Sequence, residues 1–231
     1  MTAAGTRARV RAELTREIAE VARRHLASDG AAALSLRAVA RELGMASSAV
    51  YRYFPSRDDL LTRLIVDAYD ALGTAAEKAE AAAPRTDLRA RWRAVCSATR
   101  AWAVAHPHEY ALVYGSPVPG YAAPESTIGP AARVGEALCR VIADGIEAGT
   151  VDPTADATGG DSALAPGLAE RIGLPTGEPD SSLAARAILA WTTLFGLISF
   201  ELFGHTNNVV SDHERYFEDA VDRLGTMVGL P

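Results

Sequence analysis

Residues 34–61 read LSLRAVARELGMASSAVYRYFPSRDDLL, and this stretch decides the fold. Ser35 is suited to cap a helix, because its hydroxyl can accept from a free backbone N–H in the first turn. Leu36, Val39, Ala40 and Leu43 then recur at helical spacing and make one apolar face. Gly44 follows at once and suits the left-handed backbone position that ends a helix. Met45 closes the turn. A second helix is predicted over Ser47 to Tyr53, with Ala49, Val50 and Tyr53 or Phe54 toward a core. Ser47, Ser48, Tyr51 and Arg52 fall on its other side. Pro55 ends it, since the residue before a proline avoids the helical region. Ser56 and Asp59 make a capping box for the next helix. Two short helices, a tight turn and a following helix form a helix-turn-helix, a unit that places one helix in the DNA major groove.

The charge is distributed as that reading requires. The whole chain carries −6, which by itself argues against a nucleic-acid binder. Residues 1–64, however, hold 11 Arg against 7 acidic residues, a balance of +4. The remainder holds 12 basic and 22 acidic residues, a balance of −10. A basic head on an acidic body brings only the head to phosphate. Arg7, Arg9 and Arg11 read either as a solvated arm or as a phosphate-contacting extension.

Working outward, residues 1–6 are expected to be disordered and a first helix to run from about Arg7 to Ser28. Val10, Leu14, Ile18, Val21 and Leu26 mark its buried stripe. A fourth helix is predicted over Arg57 to Ala82 and a fifth over Asp87 to Ala105. Pro107 opens a short helix, and residues 115–130 form a Pro/Gly loop. Pro130 to Gly149 is helical, residues 150–181 are mostly loop with a short helix around Leu164 to Ile172, and Ser182 to Gly204 is helical and apolar on nearly all sides. Ser211 and Glu214 read as the capping box of a last helix. Abundant alanine, few aromatics and 48% hydrophobic residues agree with an all-α chain that can bury a sizeable core.

The N-terminal pattern resembles the TetR family of bacterial transcriptional regulators. The matching residues are Gly30, Val39-Ala40, the run Gly44-Met45-Ala46-Ser47-Ser48-Ala49-Val50-Tyr51-Arg52-Tyr53-Phe54, Arg57 and Leu60. Ala46 stands where the family usually has a capping Ser, so Ser47 is expected to cap the reading helix instead. Arg57 stands where Lys is usual. The resemblance implies DNA contacts from Arg37, Ser47, Ser48, Tyr51, Arg52, Tyr53 and Arg57. It also implies that the fourth helix transmits ligand binding to the reader. Trp102, His106-Pro107, Tyr110 and Gly115 resemble the C-terminal ligand-sensing domain of one TetR subgroup, marked by Trp, His and Gly.

The expected organisation is therefore a three-helix DNA-binding domain over residues 1–56 and a larger helical ligand-sensing and dimerisation domain over residues 57–231. Trp92, Thr99, Trp102, Tyr110, Tyr114 and Phe195 are the expected pocket lining, fitting a mostly apolar small-molecule effector. One chain of this size has little left to cover the two apolar C-terminal helices, so they are expected to pair with the same helices of a second copy. Trp191, Leu194, Ile198, Leu202, Phe217, Val221 and Leu224 are the expected homodimer interface. Cys96 and Cys139 read as reduced core residues of a cytoplasmic protein. His106 and His108 alone make no metal site, and no cofactor motif is present. The apolar stretch Ile188 to Phe203 is interrupted by Thr192, Thr193, Ser199 and Glu201, so no membrane span is expected. The partners expected are an operator in double-stranded DNA and a small effector. The rival readings are an enzyme with a helical substrate pocket and an adaptor whose reader no longer binds DNA; no Ser-His-Asp order or glycine-rich phosphate loop supports the first.

Overall fold

The structure is a computed structural model that describes residues 3–153, 164–165, 167–174 and 180–231. Ten α-helices and no strand occur among the described residues. Half of the expected 150–181 loop lies outside them; the described part includes a short helix near its centre. The helices are α1 (Ala3–Asp29), α2 (Leu36–Glu42), α3 (Ser47–Val50), α4 (Arg57–Ala82) and α5 (Leu88–Ala105). Then follow α6 (Pro107–Tyr114), α7 (Ile128–Glu147), α8 (Leu168–Arg171), α9 (Asp180–Leu202) and α10 (His213–Met227).

Contacts divide the chain into two compact units, residues 1–69 with 106–128, and residues 70–105 with 129–231. The division differs from the expected boundary at 56/57 for a physical reason. Leu60, Leu61 and Leu64 of α4 are buried in the same core as Ile18, Val39, Val50 and Phe54, so the start of α4 belongs to the reader's core. Leu112, Val118 and Tyr121 pack against that core as well, which draws α6 and its loop into the first unit.

Local signals explain most helix ends. Ser56 and Asp59 bond reciprocally, the Ser56 hydroxyl reaching Asp59 Oδ2 at 2.7 Å and the Asp59 N–H reaching Ser56 Oγ at 3.1 Å. Gly44 ends α2 at φ +65°, the left-handed conformation expected of it. Ser35 has the extended backbone of a cap, but its side chain makes no capping bond. Ala46, not Ser47, is the N-cap of α3; its carbonyl accepts the Ala49 N–H at 2.8 Å. Asp212, not Ser211, caps α10 through a 3.0 Å bond from the Arg215 N–H. Helix α1 begins before Arg7, so residues 3–6 are helical; Val10 is 47% exposed, and the buried stripe starts only near Ile18.

In the second unit α5, α9 and α10 pack on one another. Arg91, 1% exposed, bridges Glu80 and Asp144 at 2.6 Å each, and Arg85 bonds the same two carboxylates. A buried guanidinium is tolerated because both partners are fixed around it. Both cysteines are free and buried. The span Leu183–Leu202 is long and apolar enough to cross a membrane by length and composition, and it lies against α5 and α10.

Candidate nucleic-acid interface and effector cavity

The reader rests on a few buried side chains. Val50 is fully buried and Phe54 nearly so, and they hold α3 onto α1, α2 and α4. That leaves the rest of α3 outward. Ser48, Tyr51 and Arg52 are exposed, Tyr51 at 42%, and Ser47 is half-buried. Arg37 is exposed on α2. Beyond Val50 the chain tightens into a turn, with the Arg52 N–H on the Ala49 carbonyl and the Tyr53 N–H on the Val50 carbonyl. Such i→i+3 closure is how a short helix finishes when proline blocks its continuation.

Two arginines hold this surface in place. Arg11 donates from Nη2 to the Arg52 carbonyl at 3.1 Å, and its guanidinium lies 5.2 Å from the Tyr53 ring centroid. A cation at the C-terminal end of a helical turn opposes the partial negative charge there. Arg57 donates from Nε to the Leu34 carbonyl at 3.1 Å and from Nη2 to Ala31 and Ala32 at 2.8 and 3.2 Å. It therefore braces the 31–34 turn instead of presenting its fork to solvent. Tyr53 is half-buried beneath Arg11. On the opposite flank Glu42 of α2 accepts from Arg24 at 2.7 Å and pairs with His25 at 2.6 Å, and these partners hold its carboxyl below the usual carboxylate range.

The expected pocket residues divide between the two units. Tyr110 and Tyr114 belong to the first unit, with ring centroids 5.0 Å apart and Tyr114 edge-on to Tyr69 at 5.9 Å. Trp92, Thr99, Trp102 and Phe195 belong to the second. Thr99 is buried and its hydroxyl donates to the Val95 carbonyl of its own helix at 2.8 Å, so its proton is already used. Trp102 and Phe195 are buried, and Trp92 borders a cavity of the second unit, one of about 200 Å³ between α5, α7, α8 and α9.

The expected dimer residues also need correction. Leu194, Ile198, Phe217, Val221 and Leu224 are buried within the second unit, while Trp191 and Leu202 are half-buried. They cover α5 and each other, because α9 and α10 turn their most apolar sides toward their own chain. The exposed large apolar side chains are instead Leu189, Phe200, Phe203 and Val209 of this region and Tyr216 on α10. A groove of about 260 Å³ runs between α9 and α10, lined by Gly196, Phe200, His213 and Tyr216 among others.

Known proteins match both units. The family model for bacterial regulatory proteins of the tetR family matches residues 18–64, the span of the reader's core. The tetracyclin repressor-like C-terminal domain model matches residues 92–224. The chain belongs to the TetR family of transcriptional regulators. The family is one of regulators, not enzymes. Two curated relatives are 44% identical over 207 residues, covering 87% of this chain and 85% of each of them. They are the HTH-type transcriptional regulators Rv1816 of Mycobacterium tuberculosis and Mb1846 of Mycobacterium bovis. The crystal structure of the regulatory-protein candidate SCO4313 aligns at a TM-score of 0.73 and 32% identity, over 94% of this chain and 97% of that one. The TetR family transcriptional regulator PfmR from Thermus thermophilus shares the fold at 18% identity and a TM-score of 0.57, over 90% and 96%.

Within the TetR frame two residues have roles that sequence reading did not give them. Arg11 is 41 residues from its partner, beyond any helical periodicity. Arg133 of α7 lies across α4, bonding the Asp70 side chain at 2.9 Å, Thr74 at 3.1 Å and Glu77 at 2.9 and 2.7 Å. The spacing of Asp70, Thr74 and Glu77 places them on one helix face, and that was the one legible hint.

Proposed function

We propose that this TetR regulator binds a near-palindromic operator as a homodimer and acts in the cytoplasm as a ligand-released repressor. The observation that carries the reading is the exposed surface of Ser48, Tyr51 and Arg52 on a short helix and its closing turn, with Val50 and Phe54 locked in a core. Arg52 reads a base edge, since arginine bonds guanine bidentately. Ser47, Ser48 and Arg37 contact base edges or phosphate, and Tyr51 and Tyr53 the sugar-phosphate backbone. Arg57 supports that surface through the 31–34 turn. Two readers about 34 Å apart, or a multiple, fit a two-fold operator.

The second copy docks on the exposed stripe of α9 and on Tyr216, with Gly196 leaving room for an incoming side chain. A two-fold interface suits this, because the same patch meets itself. An effector lowers operator affinity only by binding better to the reader spacing that fits DNA poorly.

Selection of bound DNA from a random pool tests the proposal. A near-palindrome with half-sites about one helical turn apart is the expected product. Arg52→Ala should then weaken the selected operator by about 1–3 kcal/mol and relax one base position. A pool without enrichment, or equal gel shifts for wild type and variant, would remove Arg52 from this role.

A further inference from the structure

The 200 Å³ cavity of the second unit has an unusual wall. Trp92, Leu138, Cys139, Ala187 and Trp191 give it carbon surface, and Gly135 opens one side. Trp92 donates its Nε1 proton to the Val221 carbonyl at 3.0 Å, so it presents only its ring. Trp191 differs. Its indole edge passes the Gly135 backbone, where a Cβ would lie 3.7 Å from Nε1, and no acceptor among the described residues takes that N–H. That N–H is not sealed from solvent; it stands at the cavity's edge as one donor beside carbon surface. Glu136 and Arg171 also border it, and both are exposed, so charge stays at the rim. The Cys139 thiol adds no nucleophile, because burial and then Glu136 push its pKa up to about 11. An apolar cavity of about 150 Å³ holds benzene, so this one has room for a ring and a short substituent.

We propose that the cavity takes a neutral, single-ring aromatic molecule carrying one oxygen acceptor, which bonds Trp191 Nε1. The ring gains from the two indole walls, and burying an anion against that carbon surface would cost more than one N–H returns. Occupancy reaches α4 through Arg133. Ala131, Ala132 and Gly135 line the cavity on the same turn of α7 that carries Arg133. On its other side the Arg133 guanidinium grips Asp70, Thr74 and Glu77, at the point where Gly73 leaves α4 bare; a Cβ there would sit 2.8 Å from Arg133. Arg133 is a positioning residue. The inference deepens the regulator reading and rests on it for the consequence of binding, though not for binding itself.

Titration calorimetry of the full-length protein with acetophenone, isopropylbenzene and benzoate tests the site. Acetophenone should bind saturably, and benzoate should give no heat at concentrations where acetophenone saturates. Gly135→Leu, which fills the cavity and raises helix propensity, should weaken acetophenone at least tenfold with unchanged circular dichroism. Trp191→Phe keeps an aromatic wall and removes the donor, so the ratio of ketone to hydrocarbon affinity should fall five- to tenfold. Equal acetophenone binding by wild type and Gly135→Leu, or an unchanged ratio in Trp191→Phe, would overturn the site. Acetophenone should also weaken binding to the selected operator, and Arg133→Gln should bind acetophenone like wild type yet lose that response. Acetophenone bound with no change in operator affinity overturns the cavity as an effector site and leaves DNA recognition intact. If no operator is ever selected, the regulator reading fails while calorimetry still judges the cavity.

Discussion

Arg11 and Arg52 meet at one carbonyl, and that contact sets how firmly the reading helix is held. The bond and the ring contact are both exposed, so together they contribute about 1 kcal/mol. Arg11→Ala should therefore weaken operator binding about fivefold and hardly move the melting temperature, as anisotropy titration and calorimetry would show. Gly115 carries a different constraint. It ends α6, and a Cβ there would overlap the Ala111 carbonyl oxygen, which the Gly115 N–H already bonds at 3.0 Å. Gly115→Ala must unseat the end of that helix, at a cost of about 1–3 kcal/mol. In a chain of this size that lowers the melting temperature by several degrees. The Trp-His-Gly resemblance thus has a steric basis at its glycine.

At the scale of elements, α4 and α7 are fastened by Arg133 and Glu77. The Arg133 bonds hold the Glu77 carboxyl below the usual carboxylate range. A carboxyl lowered in the folded state stabilises the fold above its unfolded pKa, and that contribution is lost as pH falls through the folded value. Urea midpoints should consequently drop more steeply below about pH 4 for wild type than for Glu77→Gln. Helix α4 itself was legible from residue 57 to 82, because a capping box opens it and Pro84 follows its end. The reading helix was less so. Its expected seven residues shorten to Ser47–Val50, since Pro55 tightens the last turn in a way that periodicity does not register.

At the scale of the whole molecule, the two sides of α9 have different duties. Ile198 is buried and serves its own unit; Phe200 is 56% exposed and is the side chain proposed to meet a second copy. Ile198→Ala should cost about 2–5 kcal/mol of protomer stability. Phe200→Glu should leave the protomer's unfolding nearly unchanged but shift sedimentation from dimer to monomer. A Phe200→Glu protein that stays dimeric at micromolar concentration would move the interface elsewhere. The pocket illustrates the same division. Thr99 and Trp102 share a helical face with Trp92, yet neighbours fill the space before two of them and leave it open before one.

By itself the sequence determined the helices, their main stops and the reader, because these depend on neighbours within one or two turns: Gly44 beside Leu43, Ser56 three residues from Asp59, Val50 and Phe54 flanking the exposed Tyr51 and Arg52. Only the tertiary structure decided which side of an apolar helix meets its own chain, where a cavity opens, and that Arg57 braces a turn while Arg11 steadies the reader. The reason is that burial and long-range hydrogen bonds depend on what arrives from elsewhere in the chain, and a helix apolar on every side carries no mark of which neighbour will cover which face.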